Sequence, residues 1–397
     1  MKKTLARVLS LMLVLVMAFS MLVSCKKDDE AGTIKIGFSG PLSGGAAMYG
    51  IAVQNSAQMA IEEINAMEDN GLDGIKFELI YRDDQHDATK IEQNFTQLLA
   101  DGMQISLGTV TTGPGLAYKT LAKDENVFFL TPSASGDKIP EFANGYQMCF
   151  ADSNQGGASA ELFNKNYQGK KIGVFYLSDD DYSVGIYNKF KDTLSTDLKK
   201  DLVEASFTKS TATDFSTQVN TLKDCDVIFM PIYYDPASLF MQQGVGIIKD
   251  DATYYGCDGF DGIDAIKGFD IDAIPQEVIM LSHFNSNAEE GPAAEYIANY
   301  RAKFGNEAPL NQFGAAAYDC VYAIYEALKV AKANGKNVTA DLSPAEYNTM
   351  LQEVFNGDFT FRGITGETTA TEKSYISWES NGYVNKVAVP FQVKAAN

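Results

Sequence analysis

Apolar residues along this chain alternate between two rhythms. Residues 34–39 (IKIGFS) form an apolar-rich run of strand length, a glycine-bearing loop follows at 40–45, and Ile51, Ala57, Ala60, Ile61 and Ile64 then recur at helical spacing. The unit repeats, with strands predicted at 76–81, 104–107 and 127–130 and helices at 89–99 and 116–122. A second series opens after Phe150, with helices at 156–166, 183–198, 215–222 and 237–243 and strands at 171–176, 202–207, 227–231 and 253–256. A further strand at 278–281 precedes long helical patterns at 293–304 and 313–332, which are expected to return to the first half. The tail reads as strands at 359–365, 374–378 and 383–389, the last two joined at 379–382 by a turn containing Asn381-Gly382. Strands alternating with helices predict parallel sheets, and two such series predict an α/β protein of two lobes. Facing strand ends would place a ligand site between the lobes.

The N-terminus breaks this plan. Lys2, Lys3 and Arg7 precede an almost unbroken apolar run over 8–23, the layout of an export signal and shorter than the ~20 apolar residues of a spanning helix. The run ends at Leu22-Val23-Ser24-Cys25, which resembles a bacterial lipobox; the resemblance implies cleavage before Cys25 and a lipid on its thiol. Residues 25–32 then read as a flexible polar tether.

Charge narrows the partners. Removing residues 1–24 takes three of the 32 basic side chains and none of the 52 acidic ones, leaving 29 against 52, a net of −23. Such a field repels nucleic acid and anionic lipid head groups, so membrane contact is expected through the lipid alone. Cys149, Cys225, Cys257 and Cys320 are scattered and form no CxxC pair, so free buried thiols are expected rather than a zinc or redox motif. The acidic run at 179–181 lacks the spaced oxygen ligands of a calcium loop. With no GxSxG, HExxH or phosphate-loop motif, and only His86 and His283 in the chain, no catalytic machinery, metal or cofactor is expected.

The segment IKIGFSGPLSGGAAMYGIAVQNSAQMAIEEINA, then ELIYRDDQHD, SLGTVTTG and FFLTPSAS in that order, resembles the leucine/isoleucine/valine-binding protein family of periplasmic receptors. The resemblance implies two Rossmann-like lobes with parallel central sheets, joined by a three-segment hinge. Lobe 1 is expected at 33–150 plus 283–356, and lobe 2 at 151–282 plus 357–397. It further implies a monomeric lipoprotein that captures a neutral, branched-chain α-amino acid and delivers it to the permease and ATPase subunits of an ABC importer. The location implied is the outer face of the cell membrane, or the periplasm where an outer membrane exists.

Carried over residue by residue, the resemblance implies a zwitterion site. Thr112 would donate its hydroxyl to the ligand carboxylate, with Val110, Thr111 and Gly113 in the same loop ahead of a helix start that favours an anion. Ser133 would offer its carbonyl to the ammonium, Ala134 lies beside it, and Ser135 would use its hydroxyl and amide. Asp258 would pair with the ammonium where relatives carry the longer Glu. Tyr49, Tyr182 and Tyr234 would line the cleft, with Phe313 as an apolar wall. His86 and Thr111 stand where relatives carry a cysteine pair, so that disulfide is absent. Two other readings remain open from sequence: the same clamp on a small amide, urea-like or carboxylate ligand, or a sensory receptor signalling through a membrane partner.

Overall fold

The computed structural model describes residues 31–366 and 372–396. The export signal, Cys25 and most of the tether lie outside the described residues. Among those described, no helix is long and apolar enough to cross a membrane.

Two sheets organise the chain. The first holds β1 (Thr33–Gly40), β2 (Lys76–Asp83), β3 (Ile105–Ser106), β4 (Phe129–Thr131) and β5 (Gly145–Gln147) in the order β2-β1-β3-β4-β5, all pairs parallel. Ile34, Ile36 and Phe38 on β1 are fully buried, as an interior strand of a sheet covered on both faces requires. Helices α1 (Ala47–Ala66), α2 (Ile91–Ala100) and α3 (Thr112–Asp124) make the crossovers between its first four strands. The second sheet contains β6 (Ile172–Leu177), β7 (Val203–Phe207), β8 (Val227–Met230), β9 (Thr253–Gly256), β10 (Glu277–Ser282) and β13 (Val389–Lys394) in the order β13-β10-β9-β8-β6-β7. Only the β10–β13 pair is antiparallel. Around it lie α4 (Asp152–Asn166), α5 (Asp181–Thr193), α6 (Thr196–Lys200), α7 (Ser216–Leu222) and α8 (Tyr234–Gly244).

The long helices α9 (Gly291–Phe304) and α10 (Gln312–Ala333) lie on α1: the Tyr296 hydroxyl meets Ser56 Oγ at 2.7 Å, Asn55 donates to the Tyr300 hydroxyl at 3.1 Å, and Tyr322 donates to Glu63 at 2.8 Å. They therefore return to the first half, as their position after the second series suggested. Close approach between helices depends on glycine at Gly156 on α4, where a Cβ would stand 2.5 Å from the Ile186 carbonyl oxygen of α5.

The structure departs from the sequence reading in four places. The helix expected over 183–198 is two, because Ser195 caps α6, accepting from Leu198 N at 3.4 Å. Helix α11 (Pro344–Phe355) was not anticipated; it opens with Pro344 at its first turn and a Ser343–Glu346 capping box. Strand β5 was also not anticipated, being three residues long with no alternation of burial. In the tail, β11 (Thr360–Gly363) and β12 (Ser374–Ser377) form their own two-stranded sheet. The Asn381-Gly382 turn closes with Glu379 N donating to the Tyr383 carbonyl at 2.8 Å, but it yields a single bridge, Trp378 to Val384, rather than a strand over 383–389.

The tail also divides. Trp378 Nε1 donates to the Gln147 carbonyl at 2.7 Å and packs on Phe355, which ties this part to the first half. Only β13, at the far end, joins the second sheet. The four cysteines Cys149, Cys225, Cys257 and Cys320 are free and buried.

Candidate functional site

At the carboxyl ends of both sets of strands, loops converge on one narrow cavity. The first half supplies Val110, Thr111 and Thr112 from the β3–α3 connection, Ser133 and Ser135 from the loop after β4, Tyr49 from α1 and Phe313 from α10. The second half supplies Tyr182 from α5, Tyr233 from the β8–α8 connection, and Asp258 and Gly259 from the turn after β9. Nine of the twelve residues expected at the site are therefore brought together.

The other three stand close behind. Gly113 lies in the first turn of α3, where a Cβ would meet nothing within 4 Å. Ala134 turns into the core beside Ile139, and its carbonyl accepts from Gln147 Nε2 at 2.9 Å. Tyr234 props Tyr49 edge-on at 4.8 Å instead of facing the cavity, and its hydroxyl accepts from Met48 N at 3.4 Å. The residue before it, Tyr233, takes the wall position. Sequence reasoning missed both Tyr233 and Gly259.

The polar wall in the first half is prepared for an anion. Thr111 is extended, the helix begins at Thr112, and the amides of a helix's first turn have no partner within the helix. The Thr112 hydroxyl accepts from Gly136 N at 3.1 Å, which fixes the loop carrying Ser133 and Ser135 against the start of α3. Thr111 Oγ1 lies 2.8 Å from His86 Nδ1, so the two positions that hold no cysteine pair are joined by a hydrogen bond instead.

The opposite wall is acidic. Asp258 is 2% exposed, its Oδ1 accepts from the Tyr182 hydroxyl at 2.6 Å, and its backbone N–H donates to Gln155 Oε1 at 3.0 Å. Burial pushes its carboxyl up to about 6, against the opposing pull of hydrogen bonds from Tyr182, Gln155 and the Gly259 amide. Asp152, at the start of α4, is also raised by burial, and Asp258 adds to the rise. No Lys or Arg is among the described residues that line the cavity. Asp258 at the wall, with Asp152 buried behind it, lacks a cation that a positively charged group would supply.

The halves touch across the cavity. The Tyr49 hydroxyl donates to the Gly259 carbonyl at 2.5 Å and accepts from Tyr234 N at 3.4 Å. Gln312 N, at the start of α10, donates to Asp261 at 2.8 Å, a carboxyl that burial raises to about 7. Tyr49 packs edge-on against Phe313 at 5.0 Å, closing the apolar side.

A cleft between two α/β halves, with a helix start on one wall and a carboxylate without a cation on the other, suits a solute-binding receptor. The chain belongs to the periplasmic binding protein family, whose model matches residues 33–375. A leucine-, isoleucine-, valine-, threonine- and alanine-binding protein of Pseudomonas aeruginosa is 26% identical over 86% of this chain and 92% of its own length. The crystal structure of a leucine-binding protein from Thermotoga maritima superposes with a TM-score of 0.75 at 24% identity, covering 92% of this chain and 96% of that one. A branched-chain amino acid transporter substrate-binding protein from Streptococcus pneumoniae, solved with isoleucine, has a TM-score of 0.70 at 25% identity, with 91% and 99% covered.

Proposed function

We propose that this chain is the extracytoplasmic substrate-binding component of an ABC importer for a neutral α-amino acid. On this reading it is held at the membrane by a lipid on Cys25, closes on its ligand and delivers it to the permease. The observation that carries the proposal is the polarity of the cavity. The start of α3 faces it from one half and Asp258 from the other, the arrangement that complements a carboxylate and an ammonium on one small molecule. The ligands named for the Pseudomonas and Streptococcus relatives support the same class.

The same polarity argues against a simple carboxylate ligand, because an anion alone would leave Asp258 and Asp152 buried and uncompensated. Binding rather than catalysis is supported by the two histidines. His86 is engaged with Thr111, and His283 packs edge-on against Phe150 at 5.1 Å, away from the cavity lining. The lobes of the clamp would be the halves built on the two sheets, with crossings near 150, 283 and 386. Closure follows from differential affinity: a ligand touching both walls favours the state in which both are within reach.

The test is a thermal-shift screen of the protein, unfolded and refolded to remove carried-over ligand, against the twenty amino acids and a panel of amides and small acids. A ligand at a hundred times its dissociation constant adds ~2.7 kcal/mol of stability. Response to an α-amino acid is the expected result; silence from all twenty with a response to another compound would discard the ligand class.

A further inference from the structure

The cavity wall contains a buried polar group that has no partner among the described residues. Tyr233 occupies the position just before α8, and its ring is held on three sides. It stacks on Tyr182 at 4.8 Å and 17°, meets His86 edge-on at 5.1 Å, and tilts against Tyr49 at 6.1 Å. The residue is 9% exposed, and among the described residues nothing hydrogen-bonds its buried hydroxyl. Burial raises this phenol well above its ordinary value, and the charges of Asp180 and Asp152, the Tyr49 phenol and Asp258 act in the same direction, so the hydroxyl lies within the acidic side of the cleft. Asp152 Oδ1, also buried, is without a partner as well. Native proteins rarely leave such groups unsatisfied, because an unpaired buried donor forfeits its hydration.

The same ring limits space. With Tyr49, Tyr182 and Phe313 it leaves only a narrow space between the two walls. A ring clamped by three aromatic neighbours does not swing aside to admit a longer side chain.

We propose that Tyr233 determines specificity: its ring restricts the ligand to a short side chain, and its hydroxyl selects one that ends in a hydroxyl. This deepens the amino-acid reading above and rests on it. The preferred class is then small hydroxylated α-amino acids, threonine and serine ahead of valine and leucine. Threonine and valine make the comparison clean, since they share a shape and differ by hydroxyl against methyl. A site built to hydrogen-bond a substrate hydroxyl rejects the analogue lacking it, because the protein's own polar group is left unpaired.

The experiment is calorimetric titration of full-length protein in detergent, stripped of ligand, with threonine, serine, valine and leucine. Wild type, Tyr233→Phe and Tyr233→Ala are compared. Wild type is expected to bind threonine at least roughly tenfold tighter than valine, equivalent to ~1.4 kcal/mol. Tyr233→Phe, which keeps the ring packing, should bring the two within about threefold, and Tyr233→Ala should gain affinity for leucine. Valine equal to or tighter than threonine in wild type, or a threonine-to-valine ratio unchanged by Tyr233→Phe, would overturn the proposal while leaving the amino-acid reading in place. Silence from all four amino acids in wild type would overturn the proposal, and the reading it rests on falls only if the other sixteen are silent too.

Discussion

Replacing Asp258 with Asn should weaken ligand binding and stabilise the empty fold at the same time. The side chain keeps its size and can still accept from Tyr182, and the backbone N–H still donates to Gln155, so the change removes charge and little else. Hydrogen bonds to a charged group are worth ~1.5–3 kcal/mol, so the loss of affinity for an α-amino acid should be roughly 10- to 150-fold. The stability effect has the opposite sign. Burial holds the Asp258 carboxyl near 6 against an ordinary 3.8, so its contribution to stability is full below 3.8 and is lost as pH rises through 6. At pH 7 the ionised carboxylate costs the closed conformation at most ~3 kcal/mol, taken at ~1.4 kcal/mol per pH unit. Asn removes that cost, and ligand-free Tm at pH 7 should rise by a few degrees. Binding in wild type should also weaken by roughly tenfold between pH 7 and pH 5, because the ammonium pairs only with the ionised form. That slope should flatten in Asp258→Asn. Calorimetric titration at four pH values, with thermal melts of the empty protein alongside, reads all three effects. Affinity within twofold of wild type, with the pH slope intact in the variant, would refute the assignment of Asp258 to the ammonium.

Thr112→Val should reduce affinity roughly tenfold by removing the hydroxyl that accepts from Gly136 N, with Thr112→Ser restoring most of it in the same titration. Tyr49→Phe removes a hydrogen bond that joins the halves, to the Gly259 carbonyl, and should weaken every ligand alike by about two- to tenfold; a change confined to one ligand would refute a role in closure. Lys386 is 5% exposed, donates to Thr365, and is held near 8 chiefly by burial, with Asp319 pulling the other way. The unfolded chain binds more protons than the folded one between pH 8 and 10.5, so wild type should gain at most ~3 kcal/mol relative to Lys386→Met over that window in denaturant melts. Gly50→Ala should lower Tm by several degrees, because a Cβ there would stand 2.0 Å from the Pro41 carbonyl oxygen.

The sequence made the sheets legible wherever strands were long and fully buried, as at 34–39 and 253–256, since apolar runs bounded by glycine-rich loops have few other interpretations. It failed where tertiary contact decided the outcome. Residues 145–147 form a strand only because β4 offers them an edge, and of 383–389 only Val389 enters a strand, as the first residue of β13 on β10. Helix α11 was legible in principle: Ser343, Pro344 and Glu346 spell a helix start, and only the polar residues ahead of it masked the signal. The cavity shows the same division. Loops around Thr112 and Ser135 could be placed from their motifs because backbone geometry carries their chemistry. Two adjacent tyrosines at a strand-to-helix turn present no such signal. Which of them enters the cleft depends on the Tyr182 ring, which stacks on Tyr233, and on Tyr49, which holds Tyr234 edge-on at the rim. Those partners lie tens to hundreds of residues away, and a resemblance that aligns Tyr234 with a wall position carries over the backbone rather than the side chain's destination. The residues that set selectivity in a shared fold are therefore the ones a motif predicts least well, and on the specificity proposed for Tyr233 the choice turns on a single ring.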